Sequence, residues 1–210
     1  MRRCMILVLA LVLCAPLAAQ EIDADVLWKA LLTGNLKYQA GEVTYEGLAK
    51  EREQLFTKQL PPVTILSCSD SRVPPELVFN QSLGSLFVVR GAGNVADEYG
   101  LASIEYAVKM GWTKLIVVLG HEHCGAVGAA LEIGEPTTPS LIALVNRIRS
   151  SLIGIGANPA LDQAVDANAR ASAVWLTAHS KLIRDAVAEG KVKIITAHYA
   201  MKSGEVKAIE

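Results

Sequence analysis

The sequence predicts an α/β fold, a mainly parallel central sheet flanked by helices and preceded by an N-terminal helical arm. Three observations carry the prediction. Short apolar runs recur at Val63 to Ser67, Leu86 to Val89 and Leu115 to Leu119, each strand-sized. Helical patterns at Tyr99 to Lys109 and Gly125 to Ile133 alternate with these runs, as crossover helices do in a parallel sheet. Chemically distinctive residues, Cys68, Arg90 and His121, stand just past the runs, and in open α/β sheets ligands gather beyond the carboxyl ends of the strands.

Residues 1–19 are set aside from the fold. Arg2 and Arg3 form a positive start, Met5 to Leu13 is an apolar run too short to span a membrane comfortably, and Ala15 to Ala19 is rich in small residues. This is the pattern of a secretory signal peptide cut after Ala19, which places the mature chain in the periplasm or outside the cell. An uncleaved anchor, or a lipoprotein signal on Cys14, is the alternative, the latter disfavoured by the bulk of Leu13. Cleavage removes Cys4 and Cys14 and leaves Cys68 and Cys124.

Residues 20–60 form the arm. Val26, Leu27, Ala30, Leu31, Leu48 and Leu55 keep helical spacing with a break at Gly41, so two amphipathic helices are expected, with apolar faces suited to another subunit. Residues 61–210 form the α/β domain. After the three runs come helical patterns at Leu141 to Ser150 and Gln163 to Ala188, separated by Gly154, Gly156 and Pro159. A final strand is expected at Val192 to Tyr199, then a Lys202-Ser203-Gly204 turn and a returning strand at Val206 to Ile209. With 51% hydrophobic residues the chain has ample material for a core, and its net charge of −1 gives no footprint for nucleic acid.

Chemistry concentrates in Cys68-Ser69-Asp70-Ser71-Arg72 and His121-Glu122-His123-Cys124. Cys68, His121 and Cys124 offer two thiolates and an imidazole from two strand ends. A Cys2His set leaves the fourth position of a tetrahedral zinc open, the ligand count of a catalytic site. His123, adjacent to Cys124, is expected to turn away. A Cys68 to Cys124 disulfide stays open as an alternative in an oxidising compartment, but it accounts for neither Asp70, Arg72 nor His121. Asp70 and Arg72 are two apart and form a dyad: the carboxylate either binds the metal or is held off it by the guanidinium and orients the water there. Zinc with two thiolates and a neutral imidazole is formally neutral, so it acidifies water less than a three-histidine site does, and activity is expected to favour alkaline pH.

The segments C-S-D-S-R-V-P, F-V-V-R-G-A-G-N, S-I-E-Y-A-V and V-V-L-G-H-E-H-C-G-A resemble those of the beta-class carbonic anhydrases, over essentially the whole mature chain. The resemblance implies zinc-dependent reversible hydration of carbon dioxide to bicarbonate. It also implies one Zn2+ per subunit on Cys68, His121 and Cys124, the Asp70 and Arg72 dyad, and a homodimer or dimer-based oligomer with sites near the interface. It further implies that Phe87 and Tyr106 wall the carbon dioxide pocket and that the Gly125 N–H holds a bicarbonate oxygen. Gln59, nine residues before Cys68, matches a glutamine of the open-site subgroup that reaches substrate across the interface. Ile65 stands where the other subgroup has the tryptophan of an inhibitory bicarbonate site, which leaves Arg90 as a structural residue. A carbonyl sulfide or carbon disulfide hydrolase on the same fold, and a non-catalytic zinc-binding or redox protein, are the competing readings.

Overall fold

The computed structural model describes residues 23–209 except Thr44, Ile133, Glu135 and Pro136. The expected signal segment lies outside the described residues. Among them no helix is long and apolar enough to cross a membrane.

Two N-terminal helices, α1 (Ala24–Gln39) and α2 (Leu48–Gln54), precede β1 (Val63–Ser67), α3 (Pro75–Val78) and β2 (Leu86–Arg90). A 3-10 turn at Ala92–Asn94 leads into α4 (Glu98–Lys109) and β3 (Leu115–His121). Helices α5 (Gly125–Leu131), α6 (Pro139–Ser151), α7 (Leu161–His179) and α8 (Lys181–Ala188) come before β4 (Lys193–Tyr199) and β5 (Val206–Ala208). The sheet has five strands in the order β2-β1-β3-β4-β5, parallel except for the β4–β5 pair. In-register pairing sets Ser67 beside both Arg90 and Leu119, so β1 and β2 end at one level and β3 runs two residues further, to His121, at the same edge of the sheet.

All seven residues of β3 are buried, as a central strand covered on both faces requires. One face packs Val63, Ile65, Val117 and Leu119 against α1 and α3, and the other packs Leu66, Ile116 and Val118 against α4, α7 and α8. Each such side chain contributes roughly 1.5–3 kcal/mol by leaving water.

Three elements differ from the sequence expectation. The stretch Gln163 to Ala188 is two helices, because Ser180 leaves helical geometry (φ −120°) and its hydroxyl accepts the Ile183 N–H to start α8. The short α3 begins at Pro75, a residue suited to the first helical position. The arm also divides. Helix α1 docks on its own subunit, where Asn35 donates to the carbonyls of Val78 and Gly204 at 2.9 and 2.8 Å and accepts from the Val206 N–H at 3.0 Å. At Gly34 a Cβ would lie 1.9 Å from the Phe79 carbonyl oxygen, so only glycine permits this approach. Helix α2 has no buried residue, and Phe56 just beyond it is 86% exposed.

Candidate metal centre and its surroundings

Three elements converge at the carboxyl end of the sheet. Cys68 follows β1, His121 is the last residue of β3, and Cys124 caps α5. His123 takes a left-handed backbone (φ 53°), which turns the chain between the two ligands and leaves His123 exposed, as expected. The donor atoms of Cys68, His121 and Cys124 all lie within 4.8 Å of one another, and all three residues are buried. The two sulfurs are 4.0 Å apart, close to the edge of about 3.8 Å that zinc–sulfur bonds of about 2.3 Å give a tetrahedron. Both cysteines are free thiols.

The imidazole is set for one role. Its Nδ1 lies 2.8 Å from the Glu122 carbonyl oxygen, which places the proton there and leaves Nε2 as the lone-pair nitrogen. That Nε2 is buried without a hydrogen-bond partner among the described residues. A buried, unpartnered acceptor beside two thiols fits a divalent metal ion, and the donor set suits zinc. The two sulfurs are hydrogen-bonded to each other. Cys68 is pushed down, chiefly by the hydrogen bond with Cys124, and Cys124 is pushed up by the same bond and by burial. A divalent cation that takes both as thiolates removes this conflict.

Asp70 and Arg72 form a fork. Arg72 Nε and its backbone N–H both donate to Asp70 Oδ1 at 2.9 Å, and Nη2 donates to Oδ2 at 2.7 Å. These bonds hold the Asp70 carboxyl well below the usual carboxylate range, the Arg72 side chain contributing most. Asp70 contributes no oxygen to the ligand cluster. Arg90 is structural in a specific way: Nε donates to the Cys68 carbonyl at 2.9 Å and Nη2 to the Asp70 carbonyl at 2.6 Å, so one guanidinium fixes the loop that carries both ligand and dyad. Gly125 stands at the first position of α5, directly after Cys124 and exposed.

Gln59, Phe87 and Tyr106 do not join this cluster within one subunit. Gln59 precedes β1 whereas Cys68 follows it, and Phe87 is paired with Thr64 near the start of the sheet. Gln59 and Tyr106 instead line a cavity of about 410 Å3 with Leu55, Phe56, Thr57, Lys58 and Trp112. Trp112 joins the other aromatics, its ring 5.4 Å from that of Tyr106 and 6.5 Å from that of Phe87. Sequence reasoning passed over Trp112. Its place just after α4, the helix that carries Tyr106, was the available signal.

An α/β sheet that gathers two cysteines, a histidine and a clamped aspartate at its carboxyl end defines a zinc enzyme. Comparison with known proteins makes this specific. Residues 63–206 match the family model described as carbonic anhydrase. A carbonic anhydrase of Mycolicibacterium smegmatis is 37% identical over 187 residues, covering 86% of this chain and 90% of the relative. Carbonic anhydrase 2 of Mycobacterium tuberculosis is 38% identical over 184 residues, covering 84% and 88%. Among solved structures, a Coccomyxa beta-carbonic anhydrase in complex with acetazolamide has a TM-score of 0.69 at 27% identity, covering 89% of this chain and 86% of that one. A tetrameric beta-carbonic anhydrase from Sordaria macrospora shares the fold, with a TM-score of 0.69. The chain belongs to the beta-class carbonic anhydrase family, and its activity is the hydration of carbon dioxide.

Proposed function

We propose that this carbonic anhydrase is an exported enzyme of the open-site subgroup whose working site is shared between two copies of the chain. The observation that carries the reading is the separation within one subunit. The ligand cluster lies at one end of β1, and Gln59 with its aromatic neighbours lies at the other. In a symmetric pair, the Gln59 end of each subunit faces the ligand end of its partner. The exposed Phe56 and Leu60, 86% and 64%, supply an apolar surface for that contact.

Cys68, His121 and Cys124 would hold the zinc, which would supply an acidified water. The residues of the chain do the rest. With both oxygens engaged by Arg72, the Asp70 carboxylate is kept off the ligand cluster and ionised, an acceptor that orients the attacking water. The Gly125 N–H at the start of α5 faces the developing anion. Gln59 of the second copy donates to substrate oxygen, and Phe87, Tyr106 and Trp112 give carbon dioxide an apolar wall. Export rests on the Arg2-Arg3 start and the apolar run of residues 5–13.

Subunit complementation tests the shared site. Cys68→Ala keeps Gln59 and loses the metal; Gln59→Ala keeps the metal. A mixed dimer of the two holds one complete site, so unfolding and refolding them together should give more carbon dioxide hydration than the sum of the separate proteins. Strict additivity would show that each subunit works alone. N-terminal sequencing of protein recovered outside the cytoplasm, beginning at Gln20, tests export.

A further inference from the structure

Asn168 stands in the middle of α7, 1% exposed, on a face otherwise made of Ala164, Val165, Ala169 and Ser172. A carboxamide buried in a helix interior is destabilising unless its hydrogen bonds are met. These are met toward the metal site. Nδ2 donates to the Gly93 carbonyl at 2.7 Å. Oδ1 lies 2.9 Å from the Ser151 hydroxyl, which also reaches the Ile148 carbonyl at 2.6 Å and so divides its one proton between two acceptors.

Gly93 is the centre of the 3-10 turn after β2. Its φ of +64° suits glycine, and a Cβ there would lie 2.8 Å from Ile148 Cδ1. Its N–H donates to the Cys68 sulfur at 3.2 Å. Asn168 therefore grips, by its carbonyl, the residue whose amide touches the sulfur.

We propose that Asn168 is a positioning residue of the metal centre, holding the Gly93 amide on Cys68 so that the sulfur is oriented and its negative charge is shared with a donor. Without the grip, the turn is free to carry the amide away, and the sulfur loses the hydrogen-bond donor that orients it. Partners that orient a metal ligand typically govern 10–100-fold in metal affinity. The proposal rests on Cys68 being a zinc ligand, and the wild-type measurement tests that separately.

The test uses the full mature protein, with Asn168→Ala and Ser151→Ala beside wild type. Zinc affinity is measured by competition with a chromophoric chelator, folding by circular dichroism, and the thiolate-to-metal charge-transfer band on the cobalt(II)-substituted proteins. Wild type should bind one zinc per subunit; if it does not, the zinc assignment fails and not the role of Asn168. Asn168→Ala should fold, bind zinc roughly 10–100-fold more weakly and show a shifted charge-transfer band. Ser151→Ala should move both readings the same way by less, because its proton is already shared. A folded Asn168→Ala with wild-type affinity and an unshifted band overturns the proposal. If Asn168→Ala does not fold, Ser151→Ala decides alone: unchanged affinity and band would overturn it. A purely structural role would lower thermal stability and leave the band where it was.

Discussion

At the carboxyl end of the sheet Cys68, His121 and Cys124 are 5%, 0% and 1% exposed, whereas at the opposite end Tyr106 and Phe56 are 50% and 86% exposed in a single subunit. The first region is finished by its own chain. Arg90 clamps the loop, Gly93 touches the sulfur, and the imidazole is oriented by the Glu122 carbonyl. The second has an amide, four aromatics (Phe56, Phe87, Tyr106 and Trp112) and a cavity with no substrate chemistry of its own. Metal affinity belongs to the first region, and the shared-site proposal gives subunit contact to the second, so substitutions in the two should separate zinc content from turnover.

The largest effect is expected at the ligands. Cys68→Ala, His121→Ala or Cys124→Ala should abolish zinc binding and carbon dioxide hydration together, read by metal analysis and stopped-flow assay on the same sample. Full zinc occupancy in any of them, or a Cys68 to Cys124 disulfide in the active wild-type protein, would break the assignment. Next comes the dyad. Asp70→Asn should keep the metal and lose at least about 100-fold in turnover, because the amide is not an anionic acceptor. Arg72→Ala should also keep the metal and lose activity, because the released carboxylate is free to compete for the open position. Wild-type kinetics in both from pH 7 to 9 would reduce the pair to a surface ion bridge.

The ligand end was legible in the sequence because its chemistry is: few residue types bind zinc, and Cys68, His121 and Cys124 stand where short apolar runs end. The strands were legible for a related reason, since buried parallel strands leave uninterrupted runs such as Leu115 to Leu119. What escaped were features defined by neighbours far along the chain. Ser180 breaks a continuous helical pattern without glycine or proline, visible only as a good helix-starting residue. Asn168 and Trp112 look like an ordinary polar helix residue and an ordinary loop aromatic until the fold brings Gly93 and Tyr106 to them. The docking of α1 was hidden likewise, because Asn35 finds its partners 43 and 169 residues away.

At the Gln59 end a smaller loss is expected. Removing one donor to substrate in a water-poor site costs on the order of 1–3 kcal/mol, so Gln59→Ala should lower hydration roughly 5- to 100-fold. Zinc content and oligomeric state should stay at wild-type values. A fully active monomer would sharpen the comparison the other way, by showing that the ligand end suffices alone.

The smallest effect concerns where the subunit ends and the arm begins. Asp25 in α1 pairs with Lys193 at the start of β4 at 2.5 Å, and that hydrogen bond is the main cause of a carboxyl pKa lowered from its ordinary value. A group whose folded pKa is depressed contributes stability above its unfolded pKa of about 3.9 and loses it as pH falls through the folded value. The pair is exposed, so its contribution is small and screened by salt. Lys193→Ala should therefore lower the denaturation midpoint slightly at pH 6 and low ionic strength, and the difference from wild type should shrink below about pH 4 and in high salt. Gln59 does not titrate, so Gln59→Ala should show no such pH window in the same assay. A Lys193→Ala difference that persisted unchanged at pH 3 would mean that α1 is held by Asn35 and its apolar contacts alone, and that the ion pair adds nothing to the docking that distinguishes α1 from α2.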